Sequence, residues 1–336
     1  MKSSLKIGAS KMVRLLLREP HLRALVEREV TNDILRNRGM LASLPWEMAD
    51  ILDAELRPRL FANPKWRRGP LRILEVARET FAVLSAARPW AGGTFCELGC
   101  GHHPYGLSAV FFLNGLSSGV ATDITRVPAP RVALALYDLL VDCTVRPTRW
   151  NWGGLSEREW RDRLACFSLP ELQDGRLADG VAGAPIRYVC GDINVAELPD
   201  ESFDFMSSRA VLEHLLDFES AARRLFRLMR PGGVAYHVVD LIDHRHYVDP
   251  ERFHPWSFLS EDERWTDHCV NRLRSCELTA ALQRAGFEII RSESVQDTPP
   301  RGFREALHPN YAAMSDDELA TTQVNLLIRK PGSAPC

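Results

Sequence analysis

From Thr94 to Arg329 short apolar runs alternate with stretches of helical periodicity, and this alternation restricts the fold more than any other feature. The runs are Thr94–Leu98, Gly119–Asp123, Ile186–Cys190, Phe203–Ser207, Val234–Asp240, Phe287–Val295 and Gln323–Arg329. Runs this short, rich in β-branched and aromatic residues, read as strands. Between them lie Tyr105–Leu113, Pro130–Val145, Phe218–Met229 and Glu277–Ala285. In Pro130–Val145, Val132, Leu136, Leu139 and Leu140 recur at helical spacing, and Pro130 suits a first turn. Strand, helix and strand in repetition predict βαβ units on a parallel sheet.

The flanks read differently. Residues 1–90 are helical stretches broken by Pro20, Pro45, Pro58, Pro64 and Gly69-Pro70. The last of them, Leu71–Ala87, is amphipathic. This predicts a helical N-terminal extension or lid over 1–90, followed by one sheet domain over 91–332. An insertion at about 146–185 carries its own helix, Ser156–Phe167. Inserts of this length serve as lids or substrate walls, or are neutral decoration. The segment Arg301–Leu319 is too long for a tight hairpin and predicts helical turns over the sheet. The Pro231-Gly232-Gly233 turn ends the helix before the fifth strand.

Charge and cysteine usage exclude several partners. A formal net charge of -2 gives no bulk attraction to nucleic acid or to an anionic membrane, so neither is expected. No apolar run approaches the length of a membrane span, and no secretory signal is expected. The eight cysteines contain no CxxC pair. Cys96, Cys143, Cys166 and Cys190 sit in apolar runs and read as small buried hydrophobes in a reducing cytoplasm.

Four constellations carry chemistry. The first is Glu97-Leu98-Gly99-Cys100-Gly101-His102-His103-Pro104-Tyr105-Gly106, between a strand and a helix. Glycine there lets backbone approach a ligand that a Cβ would exclude, at the strand end where such sheets bind ligands. The spacing is neither GxGxxG nor a Walker A loop. Second, Asp123 ends the second strand, where a carboxylate can accept from both hydroxyls of a ribose or can cap the next turn. Third, Asp192 follows the third strand, where it can accept from an exocyclic amine or can be a turn residue. Fourth, Leu198 to Leu215, then Leu228-Met229-Arg230-Pro231-Gly232-Gly233, place turn, strand, polar loop, helix and turn in fixed order.

Together these resemble the class I S-adenosylmethionine (SAM)-dependent methyltransferases, and in particular small-molecule enzymes with a "VLEHL" segment, here Val211–Leu215. The resemblance covers about Thr94 to Lys330. It implies an α/β Rossmann-like fold with a seven-stranded mixed sheet in the order 3-2-1-4-5-7-6, the last strand antiparallel to the fifth. It implies SAM as cofactor, with Glu97, Gly99 and Gly101 at its methionine part. Asp123 falls at its ribose, Ile124 beside its adenine, and Asp192 and Ile193 at the adenine. Ser207, Ser208 and Arg209 fall near its sulfonium and carboxylate. His103 stands where that family has its third glycine, so the loop path differs there.

Methyl transfer asks chiefly for alignment of nucleophile, methyl and sulfur, with a base where the acceptor is protonated. The catalytic candidates are His214, Asp240, His244 and Tyr105, the last as an aromatic wall for the sulfonium. Asp243, His244 and His246 are ligand types without regular metal-site spacing, so no metal is expected.

The resemblance implies a cytoplasmic methyltransferase acting on a small secondary-metabolite or sugar-type acceptor. The N-terminal helices are a candidate homodimer contact. The alternative is a SAM cyclase on the same fold, releasing methylthioadenosine and azetidine-2-carboxylate. Its closed pocket would draw on the extension, the insertion, Tyr105, Tyr137, Trp150 and Trp152. A third reading is a SAM-binding scaffold without turnover.

Overall fold

The computed structural model describes residues 69–101, 103–145, 147–261 and 270–332. The expected helical extension therefore falls mostly outside the described residues, as does His102. Its last segment is helix α1 (Gly69–Ala87).

One seven-stranded sheet follows, in the order β3-β2-β1-β4-β5-β7-β6. Its strands are β1 (Thr94–Leu98), β2 (Ser118–Asp123), β3 (Ile186–Cys190), β4 (Phe203–Arg209), β5 (Met229–Asp240), β6 (Glu288–Gln296) and β7 (Thr321–Arg329). The first five run parallel, and β7 pairs antiparallel with both β5 and β6. Helices α2 (Gly106–Leu113), α3 (Ala129–Val145), α8 (Phe218–Leu228) and α9 (Ser275–Arg284) make the crossovers. Short helices α4 (Pro147–Trp150), α5 (Glu157–Leu164), α6 (Leu169–Gln173) and α7 (Leu177–Gly180) build the insertion. The expected turns over 301–319 are observed as single turns at Arg304–Ala306 and Pro309–Tyr311, then α10 (Asp316–Ala320).

Strand alternation sorts side chains onto two faces. Phe95, Phe205, Val234, Tyr236 and Val238 face a core with α1, α2 and α3. Cys96, Leu98, Met206, Ala235 and Val239 face a second core with α8 and α9. A parallel sheet covered on both faces accounts for the near-continuous apolar runs. Glu97 shares the first face with Phe95, which directs a carboxylate into an otherwise apolar layer.

Two expectations need correction. Pro231-Gly232-Gly233 is not a turn ahead of β5 but an irregularity within it. Phe203 pairs with Met229 while Phe205 pairs with Val234, and Gly232 (φ +77) donates its N–H to Lys330 O at 2.8 Å. A glycine takes this left-handed conformation without steric cost.

Cys96 and Cys143 are buried, but Cys166 is half-buried and Cys190 exposed. Cys190 closes β3, the edge strand, where a side chain has no covering neighbour.

The insertion is anchored to the sheet domain by specific contacts. Arg163 donates to Phe112 O (2.6 Å) and Leu116 O (2.7 Å), beyond the C-terminal end of α2. Trp150 is fully buried and donates to Asp142 (2.6 Å). Trp152 N–H and Gly153 N–H both donate to Asn114 Oδ1. These anchors lie where the chain enters β2, the opposite end of the sheet from the glycine turn.

Candidate functional site

The glycine turn is fastened to the end of β2. Gly99 N–H and Cys100 N–H both donate to Thr122 O, at 2.8 and 3.1 Å. Gly101 N–H donates to Asp123 Oδ2 at 2.7 Å, and Thr125 N–H to Asp123 Oδ1 at 2.8 Å. Both glycines have left-handed backbone, φ +65 at Gly99 and +58 at Gly101, which explains the residue type. They differ in surroundings. A Cβ on Gly99 would stand 2.2 Å from Val211 Cγ2, whereas one on Gly101 would meet nothing within 4 Å. Gly99 serves packing, and Gly101 leaves bare backbone facing open space.

Beside the turn lies a cavity of about 220 Å³, walled by Glu97, Gly99, Cys100, Ser207, Ser208, Arg209, Tyr236 and residues of α1. Glu97 is 8% exposed, and its Oε2 has no hydrogen-bond partner among the described residues. Burial, with Asp123 nearby, pushes its carboxyl up to about 8. Arg209 pairs with Glu79 of α1 at 2.8 Å, and Tyr236 OH donates to the other oxygen of Glu79 at 3.2 Å. These contacts tie α1 across the ends of β4 and β5.

Ser208 also lines the cavity, but its hydroxyl is held by His237 Nδ1 at 2.7 Å, on the second face of the sheet. His237 is fully buried, which depresses its pKa to about 4 and keeps the ring neutral.

Along β2 and β3, Ile124 is 71% exposed beside Asp123, an apolar side chain left in the open. Asp192 is exposed and accepts from Asn194 N–H at 2.8 Å, a local turn bond. Ile193 is 7% exposed and belongs to the second core, so its side chain packs inward rather than toward a ligand. Half-buried His103 continues the turn, its N–H donating to Cys100 O at 3.2 Å.

Three of the four catalytic candidates meet. His214 follows β4, and Asp240 and His244 end and follow β5. The rings of His214 and His244 are 4.9 Å apart. His244 Nε2 lies 3.6 Å from Asp240 Oδ2, which accepts from Tyr247 OH at 2.6 Å. Tyr105 does not join them. It holds φ 72 ahead of α2, and its ring faces Tyr188 of β3 at 6.4 Å.

Sequence reasoning missed Glu213, Glu79 and Tyr236. Tyr236 was legible as an inward position of β5. Glu213 was hidden in an apolar "VLEHL" pattern. It is 3% exposed, neither carboxylate oxygen has a hydrogen-bond partner among the described residues, and burial pushes its pKa well above the usual carboxylate range.

Comparison with known proteins places the chain in a family. Residues 65–292, more than half of the chain, match the methyltransferase domain family. An uncharacterised methyltransferase of Mycobacterium tuberculosis is 48% identical over 52 residues, covering 16% of this chain and 26% of the relative. A sterol 24-C-methyltransferase of Aspergillus fumigatus is 28% identical over 114 residues, 34% of this chain and 29% of the relative. The chain thus spans under a third of the length of these curated relatives. The crystal structure of an SAM-dependent methyltransferase from Mesorhizobium loti aligns at 16% identity over 76% of this chain and 99% of that one, with a TM-score of 0.41. By the family match, the chain belongs to the class I SAM-dependent methyltransferases.

Proposed function

We propose that this protein transfers the methyl group of SAM to a small-molecule acceptor. The observation that carries the reading is the shared cavity of Glu97 and Tyr236 beside the glycine turn. Glu97 offers a buried carboxylate oxygen without a partner, which suits an α-ammonium. Gly101 offers backbone that no side chain covers. Tyr236 offers an aromatic wall, and aromatic faces attract a sulfonium. These residues fit SAM, which when bound supplies an electrophilic methyl on sulfur.

In this reading Glu97, Gly99 and Gly101 hold the methionine part. Asp123 keeps its two turn bonds and accepts from the ribose hydroxyls through its remaining lone pairs, of which a carboxylate has about four sites in all. Ile124 packs on the adenine face and Asp192 accepts from its amine. Arg209, fixed by Glu79, sets the electrostatics at the carboxylate end. His214, Asp240 and His244 border the acceptor, and either imidazole can take its proton.

The low net charge supports a small molecule over nucleic acid. Exposed thiols at Cys190 and Cys276 suit a reducing, cytoplasmic setting. Among the described residues no helix is long and apolar enough to cross a membrane. A secondary-metabolite acceptor and a homodimer through the N-terminal segment belong to the same proposal.

Cyclisation of SAM draws no support from the family match. Trp150 and Trp152, two of its expected pocket walls, anchor the insertion to Asp142 and Asn114 instead. Incubation with methyl-labelled SAM and a panel of phenolic, carboxylate and sugar acceptors decides the matter. Label in an acceptor, with S-adenosylhomocysteine released, is expected. Methylthioadenosine formed from SAM alone would sink the transferase reading.

A further inference from the structure

Glu213 and His214 belong to the turn after β4, and His244 to the turn after β5, so two adjacent strand ends bring them together. One ligand atom from each lies within 4.8 Å of the others. Around a first-row metal, with bonds of about 2.0–2.2 Å, ligand atoms stand roughly 3–4 Å apart, which small side-chain rotations reach from here.

Glu213 makes this more than a chance grouping. A carboxylate this buried normally accepts hydrogen bonds, because leaving water without them is costly. Among the described residues both of its oxygens lack a hydrogen-bond partner although two imidazoles stand beside it, and His244 Nε2 lacks one too. The main chain at Glu213 is pinned: Asn271 N–H donates to its backbone carbonyl at 2.7 Å. A cation between the three groups would satisfy the carboxylate and His244 together.

We propose that Glu213, His214 and His244 form a site for a divalent transition-metal ion at the ends of β4 and β5. Two imidazoles and one carboxylate favour Zn²⁺, Mn²⁺, Fe²⁺ or Co²⁺ over Mg²⁺ and Ca²⁺, which prefer all-oxygen shells. Three protein ligands leave coordination positions open. Those positions suit a hydroxyl oxygen of the acceptor, whose proton the metal would make easier to lose, so that with the metal bound His214 and His244 act as ligands and not as bases. Asp240, 3.6 Å from His244 Nε2 and bonded to Tyr247, adds a second carboxylate beside the site, which favours a cation there. The acceptor role rests on the methyltransferase reading; the metal site does not.

The test uses the full chain, stripped with EDTA, dialysed and titrated with Co²⁺ while visible d–d bands are recorded, then with Zn²⁺ and Mg²⁺ by calorimetry. One equivalent of Co²⁺ and of Zn²⁺ is expected to bind, with Mg²⁺ much weaker. Glu213→Gln and His244→Ala should each weaken Co²⁺ by roughly 100-fold or more, as loss of a direct ligand exceeds the 10–100-fold of a supporting residue. His214→Ala, on an exposed turn, should do the same with SAM affinity unchanged, which separates this site from the cofactor site. His246→Ala, whose Nδ1 engages Phe253 O instead, should leave Co²⁺ binding intact. Absence of saturable Co²⁺ and Zn²⁺ binding, or binding that survives both His214→Ala and His244→Ala, would overturn the proposal.

Discussion

The Asp123 carboxylate accepts the backbone N–H of Gly101 at 2.7 Å, joining the ends of two parallel strands at the glycine turn. One residue therefore shapes the turn and, in the proposed function, binds a ribose. The two roles separate by substitution. Asp123→Asn keeps the shape and loses the charge, so it should cost about 1–2 kcal/mol of stability. SAM affinity should fall about 10–100-fold, the equivalent of losing one or two charge-assisted bonds. Thermal unfolding and calorimetric titration read the two effects independently.

Gly99 and Gly101 should respond differently to alanine. Gly99→Ala drives a Cβ into Val211, so a loss of about 2–4 kcal/mol in denaturant unfolding is expected. Gly101→Ala strains only its own backbone, by about 1 kcal/mol, because its Cβ enters open space. It should nonetheless lose SAM binding, since that space is where the ligand is proposed to lie. Tight binding by Gly101→Ala would refute the placement.

Glu97 gives a pH signature. Burial raises its folded carboxyl to about 8 from its ordinary value of 4.5. Between those values the folded state binds more protons than the unfolded one. Stability from this group is therefore present at low pH and lost as pH rises toward 8. Glu97→Gln removes that loss. The variant should gain on the wild type through this window by a few kcal/mol, at about 1.4 kcal/mol per pH unit, then run parallel above it. Melting temperatures of ligand-free protein from pH 5 to 9 test this.

Asp204 predicts a purely structural effect at the other end of β4. It accepts from Arg88 (2.7 Å), Arg230 (2.6 Å) and Thr94 N–H (2.9 Å) and is 6% exposed. Asp204→Ala should destabilise by about 2–3 kcal/mol, less than a wholly buried pair because both arginines reach water. SAM affinity of the folded fraction should stay unchanged, which urea midpoints and calorimetry together would show.

The central strands were legible because their apolar runs are buried on both faces, as in β1 and β4, and burial is what such runs record. Strand β6, exposed along most of its length, was legible from its β-branched residues, and the strand order came from the family resemblance. The Pro231-Gly232-Gly233 irregularity was not, because a bulge inside a strand and a turn before it use the same residues. Among the site candidates, Glu97 and Asp123 stand at strand ends that the motif marks. Strand alternation turns the Ser208 side chain toward His237, and the turn after β3 packs Ile193 into the second core. Glu213 escaped notice because its partner His244 is thirty-one residues on, and only the adjacency of β4 and β5 joins them.

The central claim is that SAM lies between Glu97, the bare backbone of Gly101 and Asp123. A crystal structure of the protein soaked with SAM tests it most directly. The account predicts the ribose hydroxyls on Asp123, the α-ammonium at Glu97 and the methyl pointing toward His214 and His244. SAM bound elsewhere, or a glycine turn that stays without ligand at saturating SAM, would contradict it.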